Sequence, residues 1–237
     1  MEPLHLLAVA AHPDDAELLM GGALAAAAFD GMRAGVIDLA AGESGTRGSA
    51  SSRAKEAEEA AAILGLVHRE NLGLPDGGIE ADRESRMRLA ERIRALRPDT
   101  LLIQHRGGRN PDHHAAADLS RAAAYSAGLA RLGSGAPHRP RRILEAVSFQ
   151  NVPPNLLLDI TGVFETKMRA IRAYRSQFEG ALEAGDILSN GKDDLFEQIT
   201  FRCRAYGALV QVPFGEPYRT ESPLLVRTLL AVEGRSL

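Results

Sequence analysis

Short apolar runs alternate with segments of helical spacing along the first two thirds of the chain. The apolar runs predict strands at residues 4–11, 34–39, 67–72 and 100–104. The segments between them predict helices at about residues 15–29, 52–64, 84–96 and 112–128. This strand–helix alternation favours a mostly parallel sheet with helices on both faces. The predicted fold class is therefore α/β, with a Rossmann-like sheet.

The pattern is looser beyond residue 133. Residues 133–142 predict a surface loop, and further strands are expected at residues 143–150 and 156–159. Further helices are expected at residues 163–178 and 193–209. Because the chain shows no internal repeat, heptad run or low-complexity linker, we predict one domain that spans residues 1–237.

Composition narrows the class of protein. The 237 residues are 45% hydrophobic and 25% charged, as in an average soluble globular protein. A net charge of −3 argues against nucleic acid or an anionic membrane as a partner. The single cysteine, Cys203, excludes an intrachain disulfide framework and fits a reducing compartment. Because no apolar run approaches the roughly 20 residues that span a bilayer, and no signal peptide is evident, we predict a cytoplasmic protein.

The most informative polar segment is His12-Pro13-Asp14-Asp15, directly behind the first predicted strand. Ligands of open α/β sheets bind beyond the carboxyl ends of the strands, so these side chains are expected at the mouth of a site. Imidazole and carboxylate groups are ligands of catalytic zinc, and a neighbouring carboxylate can act as a general base. The alternative is an ordinary turn, because Pro and Asp are common turn residues.

A second polar segment, residues 110–114, lies between the predicted strand 100–104 and the next helix. If that strand is parallel to the first, both loops open on the same edge of the sheet. His113 can then meet His12 and Asp15 around one ion. Three protein ligands with an open fourth position are typical of catalytic zinc. The alternative for His113 is a solvated helix start.

Two further carboxylates flank these candidate ligands. Asp14 is placed to take a proton from a water molecule at the metal. Asp112, next to His113, can orient an imidazole by accepting its free N–H.

These motifs resemble the LmbE-like zinc deacetylases, which remove acetyl groups from N-acetylglucosamine conjugates. The first motif continues through Ala16-Glu17 and is followed by the small pair Gly21-Gly22. Residues 42–48 (GESGTRG), 70–77 (ENLGLPDG) and 173–178 (AYRSQF) look like the bacillithiol-pathway branch, whose members deacetylate N-acetylglucosaminyl malate. The resemblance extends from residue 4 to about residue 230 and implies an LmbE-like fold.

The resemblance also implies a cofactor and partners. It implies that His12, Asp15 and His113 bind zinc and that Asp14 is the general base, with another divalent ion as the alternative. The implied partner is a small amino-sugar conjugate, with neither nucleic acid nor a membrane involved. The family further implies a homo-oligomer, such as a hexamer.

Four other residues are candidates for binding the substrate. Arg53 and Arg47 suit a carboxylate-bearing aglycone such as malate, since a guanidinium binds carboxylates bidentately. The alternatives are a solvated helix turn for Arg53 and a flexible loop charge for Arg47. Tyr174 and Gln177 match a family helix near the pocket and are candidates for contacting the sugar. The alternative for their helix is core packing.

One position departs from the family pattern. The second motif normally begins with His, and here that position is Asn110. Asn110 can donate a hydrogen bond to an oxyanion but cannot act as an acid, and loss of one such donor can cost about 100- to 1000-fold in rate. His105 or His114 is an alternative source of the missing imidazole. A third interpretation is a chain that binds metal but turns over slowly or not at all.

Three rival functions follow from these observations. The nearest is deacetylation of another N-acetylglucosamine derivative, such as a chitooligosaccharide fragment or an inositol conjugate. A non-catalytic sugar- or metal-binding protein is a rival from a different class, because of Asn110. A dinucleotide-binding oxidoreductase is disfavoured, because no G-x-G-x-x-G motif follows the first strand.

Overall fold

One mixed sheet forms the centre of the described chain, which in this computed structural model comprises residues 2–178 and 195–228. In chain order its strands are β1 (Leu6–Ala10), β2 (Ala34–Ala40), β3 (His68–Leu74), β4 (Thr100–Gln104), β5 (Arg142–Ala146), β6 (Leu156–Asp159) and β7 (Gly215–Arg219). Their order across the sheet is β3-β2-β1-β4-β5-β7-β6.

The strands β1 to β5 run parallel to one another, and β1 lies between β2 and β4. Strand β7 is antiparallel to both β5 and β6. The expected mostly parallel α/β sheet is therefore confirmed. Because parallel strands end at the same edge, the loops after β1, β2, β3 and β4 all lie at that edge.

Helices cover both faces of this sheet. They are α1 (Asp15–Phe29), α2 (Ala50–Leu64), α3 (Arg83–Leu96), α4 (Pro111–Ala127), α5 (Phe164–Arg172), α6 (Arg175–Phe178) and α7 (Leu195–Ala208). Residues of α1, α2, α5 and α7 belong to one buried apolar cluster, and residues of α3 and α4 belong to the other. Alternate residues of a strand point to opposite faces, so Leu102 packs in the first cluster while Leu101 and Ile103 pack in the second. Among the described helices, none has both the length and the apolar character needed to cross a bilayer.

The C-terminal third differs most from the sequence prediction. The strand predicted at 143–150 ends at Ala146, because residues 147–150 form a turn in which Gln150 N–H donates to Val147 O at 3.0 Å. The helix predicted at 163–178 is divided into a 3-10 turn (Thr161–Val163), α5 and α6. The helix predicted at 193–209 is α7, and residues 193 and 194 lie outside the described residues.

Strand β7 is absent from the sequence prediction, because its segment, GEPYR, shows no apolar alternation. Its buried Glu216 forms an ion pair with Lys167, with 2.6 Å between Oε2 and Nζ. The same carboxylate accepts hydrogen bonds from Gly22 N–H and Ala23 N–H, both at 2.8 Å, and from Tyr218 O–H at 2.6 Å. This buried charge fixes β7 and α5 against the middle of α1.

Candidate active site

The loops that follow β1 and β4 bring His12, Asp15 and His113 together. Asp15 Oδ2 lies 3.3 Å from His12 Nδ1 and 3.2 Å from His113 Nε2. One ligand atom from each of the three residues lies within 4.8 Å of the other two. The two loops therefore meet at one edge of the sheet, as expected.

A tight turn places His12 and Asp15 on the same side of the chain. Asp15 N–H donates to His12 O at 3.3 Å, and His12 N–H donates to Asp15 Oδ2 at 3.0 Å. Asp14, between them, has a φ of 104°, a conformation that non-glycine residues rarely adopt. Strained backbone of this kind persists where the surrounding structure holds it, and it occurs often at functional sites.

The three ligand atoms fit a small divalent cation. Two atoms bound to one zinc ion at tetrahedral angles lie about 3.3 Å apart. The two measured separations from Asp15 Oδ2, 3.3 and 3.2 Å, agree with that geometry. Two imidazole nitrogens and a carboxylate oxygen are also a donor set found in catalytic zinc sites.

The electrostatics of these three groups also favour binding of a cation. Burial opposes a charged His12, but the hydrogen bond and charge of Asp15 outweigh it and raise the pKa of His12 to about 9. Burial likewise opposes a charged His113, and Asp15 again outweighs it and raises the pKa of that imidazole. Burial would raise the pKa of Asp15, but His113 and His12 hold it well below its usual range. A pocket that attracts protons in this way also attracts a metal cation, which would displace them on binding.

Asp112 contacts the imidazole of His12, not that of its neighbour His113. Its Oδ2 lies 3.1 Å from His12 Nε2, on the side of the ring away from Nδ1, and accepts a hydrogen bond from Gly77 N–H at 2.7 Å. The sequence left open which imidazole Asp112 would orient, and the structure identifies it as that of His12, in the other loop. The expected contact between Asp112 and an imidazole is therefore present.

Asp76 is a site residue that the sequence analysis missed. Its Oδ1 lies 3.1 Å from His12 Nε2, beside Asp112. Residues 75–78 have the composition of an ordinary turn, which hides this role. The position of Asp76 after β3, at the same edge as the loops after β1 and β4, is the one signal that could have identified it.

Asp14, the expected base, is partly buried beside Arg53, with 14% of its side chain exposed. Arg53 NH2 lies 3.0 Å from Asp14 Oδ2. Burial raises the pKa of Asp14 to about 8, and the negative charge of Asp15 adds to this, while the positive charge of Arg53 opposes it. A carboxylate with a pKa near neutrality is suited to accepting and returning a proton.

Arg53 is held inside the protein. Its side chain is 6% exposed, and its guanidinium donates to Pro13 O as well as to Asp14, with a longer contact of 3.4 Å to Gly42 O. The structure therefore places Arg53 against the candidate base. Contact with a substrate carboxylate would require that guanidinium to leave Asp14 or to use its remaining donors.

The other expected substrate contacts have different surroundings. Tyr174 is fully buried in the apolar core, which favours the core-packing alternative, and its contact with the sugar stays a prediction. Gln177 Nε2 donates to Arg47 O at 2.8 Å and so joins α6 to the loop of residues 42–48. Arg47 lies partly exposed in that loop, and its contact with substrate stays a prediction.

Asn110 is the N-cap of α4, where its Oδ1 accepts a hydrogen bond from Asp112 N–H at 2.9 Å. Its side-chain NH2 is the group that remains to donate to a substrate. His114 Nε2 donates to Gly108 O at 2.9 Å. His105 Nδ1 accepts from Gly107 N–H at 2.9 Å, and its Nε2 lies 3.6 Å from Glu145. Both alternative imidazoles are thus bonded to other parts of the chain.

The chain is similar in sequence to known deacetylases. The family model for GlcNAc-PI de-N-acetylase matches residues 7–124, which include the loops after β1 and β4. Diacetylchitobiose deacetylase from Thermococcus kodakarensis is 29% identical over 188 residues, 73% of this chain and 70% of that protein. The 1D-myo-inositol 2-acetamido-2-deoxy-alpha-D-glucopyranoside deacetylase from Nakamurella multipartita is 39% identical over 127 residues, 48% of this chain and 41% of that protein.

A solved structure supports the fold along nearly the whole chain. The conserved protein TT1542 from Thermus thermophilus superposes with a TM-score of 0.86 and 38% identity, covering 94% of this chain and 97% of that one. Together with the family match over residues 7–124, this superposition confirms the LmbE-like fold implied by the sequence.

Proposed function

The chain belongs to the GlcNAc-PI de-N-acetylase family of N-deacetylases, and from this premise we propose that it hydrolyses the acetamide of N-acetylglucosaminyl malate. The proposed cofactor is Zn²⁺, held by His12 Nδ1, Asp15 Oδ2 and His113 Nε2. The observation that carries this proposal is the meeting of these three atoms at separations that suit one ion.

When bound, the ion would polarise the acetyl carbonyl and lower the pKa of a nearby water molecule. The chain's own contribution begins with Asp14, which we assign as the general base. Its carboxylate would take a proton from the attacking water and return it to the departing amine. Arg53 orients that carboxylate through the 3.0 Å contact to Oδ2.

Asn110 is assigned as a neutral donor to the oxyanion of the tetrahedral intermediate. Its Oδ1 is bonded to the start of α4, which leaves the NH2 group for this role. The cap also fixes the residue at the edge of the site, so the donor needs little reorganisation.

The malate conjugate is proposed because residues 42–48 resemble the bacillithiol-pathway branch, and because these residues are fastened beside the site. Gln177 holds them at Arg47 O, and Asp76 holds them at Ser44 N–H. Arg47 lies in this segment and supplies a guanidinium for a substrate carboxylate. The named relatives are deacetylases of diacetylchitobiose and of an inositol conjugate, which keeps another N-acetylglucosamine derivative as the second candidate.

The test is a free-amine assay with the Zn²⁺-loaded protein on N-acetylglucosaminyl malate, diacetylchitobiose, the inositol conjugate and plain N-acetylglucosamine. We expect the highest kcat/KM on the malate conjugate. Asp14→Asn is expected to lower kcat by about 100- to 10,000-fold without loss of bound metal. A higher kcat/KM on one of the other conjugates would overturn the malate assignment. Binding of substrate with no release of acetate from any of the four would favour a binding protein.

A further inference from the structure

The imidazole of His12 is contacted from both sides. Its Nδ1 faces Asp15, and its Nε2 faces two carboxylates, Asp112 Oδ2 and Asp76 Oδ1, each at 3.1 Å. The side chains of His12 and of these two carboxylates are largely buried, with exposed fractions of 11% for His12, 11% for Asp76 and 4% for Asp112. The role of Asp112 was anticipated from the sequence, whereas that of Asp76 was not.

Asp76 uses both of its oxygens and its backbone. While Oδ1 faces His12, Oδ2 accepts a hydrogen bond from Ser44 N–H at 2.8 Å. Ser44 Oγ donates to Asp76 O at 3.0 Å, and Asp76 N–H donates to Glu43 Oε1 at 2.9 Å. One short segment after β2 is thus joined by three hydrogen bonds to a residue that touches a candidate metal ligand.

The chemistry of imidazole gives this arrangement a consequence. A ligating His normally donates its second ring N–H to a carboxylate, which fixes the orientation of the ring and makes the ligating nitrogen more basic. At His12 the second nitrogen is Nε2, so carboxylates there leave the Nδ1 lone pair directed towards Asp15 and His113. Asp112 already accepts hydrogen bonds from two backbone N–H groups, of Gly77 and Ile79. Asp76 therefore adds negative charge and a second acceptor at Nε2.

We propose that Asp76 is a positioning residue for the metal centre: it orients His12 for coordination and couples the conformation of residues 42–48 to metal affinity. This inference rests on the proposed function, because it requires that His12 bind the ion. It deepens that function, because residues 42–48, which we assign to substrate recognition, would contact the same Asp76 carboxylate that orients the metal ligand His12. A substrate that moves Ser44 would also move Asp76.

The test measures metal binding directly. Metal-free wild-type and Asp76→Asn proteins are titrated with Zn²⁺ and Co²⁺ in competition with a chromophoric chelator. Asn has the shape of Asp but lacks its charge, so we expect Asp76→Asn to weaken affinity by about 10- to 100-fold. The visible absorption spectrum of the Co²⁺ protein should also change, because the ring of His12 is held differently. A purely structural role for Asp76 would lower the melting temperature but leave affinity and spectrum unchanged.

The matched control is Glu80→Gln, which removes a carboxylate charge from an exposed position four residues along the same loop. We expect its metal affinity to equal that of the wild type. If Asp76→Asn does not fold, Asp76→Ser keeps a small polar side chain there and carries the same expectation. A Kd within twofold of the wild type in the folded variant would overturn the inference. A stoichiometry of two ions per wild-type chain, falling to one in the Asp76 variant, would also overturn it, because Asp76 would then be a ligand.

His113→Ala separates this failure from failure of the proposed function. If the wild type and His113→Ala bind Zn²⁺ equally, the proposed metal centre is wrong, and the inference fails with it. If His113→Ala loses Zn²⁺ while Asp76→Asn retains full affinity, the proposed function stands and only the role of Asp76 is refuted.

Discussion

Replacing Glu216 with Gln should destabilise this protein more than a typical core substitution. The variant keeps the size of the side chain, so no cavity forms, but it removes the charge opposite Lys167. Both side chains of this ion pair are buried, with exposed fractions of 1% for Lys167 and 0% for Glu216. The ammonium of Lys167 would then remain in the core without a counter-charge.

The magnitude follows from the donors that converge on Glu216. Oε2 accepts from Lys167 at 2.6 Å and from Gly22 N–H at 2.8 Å, and Oε1 accepts from Ala23 N–H at 2.8 Å and from Tyr218 O–H at 2.6 Å. A Gln side chain offers one oxygen, so at least one pair of donors faces an NH2 group. Breaking one partner of a buried ion pair costs about 3–5 kcal/mol. At about 2–4 °C for each kcal/mol, the melting temperature should fall by roughly 6–20 °C.

The assay is urea and thermal unfolding of metal-free protein. Lys167→Met should also destabilise, and the double variant should lose less than the sum of the two single losses. The control is Glu59→Gln, which breaks the exposed pair between Glu59 and Arg175, 2.7 Å long, with side chains 44% and 52% exposed. Exposed pairs contribute little to stability. If Glu216→Gln costs no more than Glu59→Gln, the account of β7 and α5 as joined to α1 through a buried charge is wrong.

Three further predictions follow. In Gly22→Ala the new Cβ would lie 2.5 Å from the nearest buried side chain, so the free energy of unfolding should fall by about 1–3 kcal/mol. In the control Gly162→Ala the new Cβ has nothing within 4 Å, so the free energy of unfolding should change little. Equal losses in the two variants would contradict the packing argument. The hydroxyl of Tyr174 is buried without a hydrogen-bond partner among the described residues, so Tyr174→Phe should retain stability and kcat/KM. A large loss of kcat/KM would instead support a contact between this hydroxyl and the sugar. Asn110→His should raise kcat by supplying the family's imidazole, while loss of the helix cap lowers stability by about 1 kcal/mol. An unchanged or lower kcat would refute the hypothesis that the missing imidazole limits the rate.

The parallel part of the fold was predictable because its elements are local. The predicted bounds of β4 and β6 agree with the structure, and α1 matches residues 15–29, since apolar runs and breaks mark these elements within the segment itself. Strand β7 was not predictable in this way. Its second residue, Glu216, is buried only because Lys167, 49 residues away, supplies the opposite charge, and no local pattern reveals such a partner.

In the candidate site, too, one part was predictable from the sequence and another was not. That His12, Asp15 and His113 would meet followed from a topological rule, because loops after parallel strands share an edge. Which carboxylate faces which nitrogen did not follow, since it depends on rotation about the start of α4 and on the course of residues 75–78. The imidazole that Asp112 faces was therefore left open, and Asp76 was hidden in a sequence that is typical of turns.

Helix α1 joins the stability of the core to the geometry of the site. Its first residue, Asp15, is a candidate metal ligand, and the backbone groups bonded by the buried ion pair lie about 5 to 12 Å further along the same helix. Lys167 Nζ donates to Leu18 O at 3.0 Å, while Glu216 accepts from Gly22 and Ala23, so the two charges hold the helix by its backbone as well as each other. An apolar pair of similar volume could fill this space but could not bond these backbone groups. The ion pair thus fixes where α1 lies along its own axis, and with it the position of the carboxylate that faces His12 and His113.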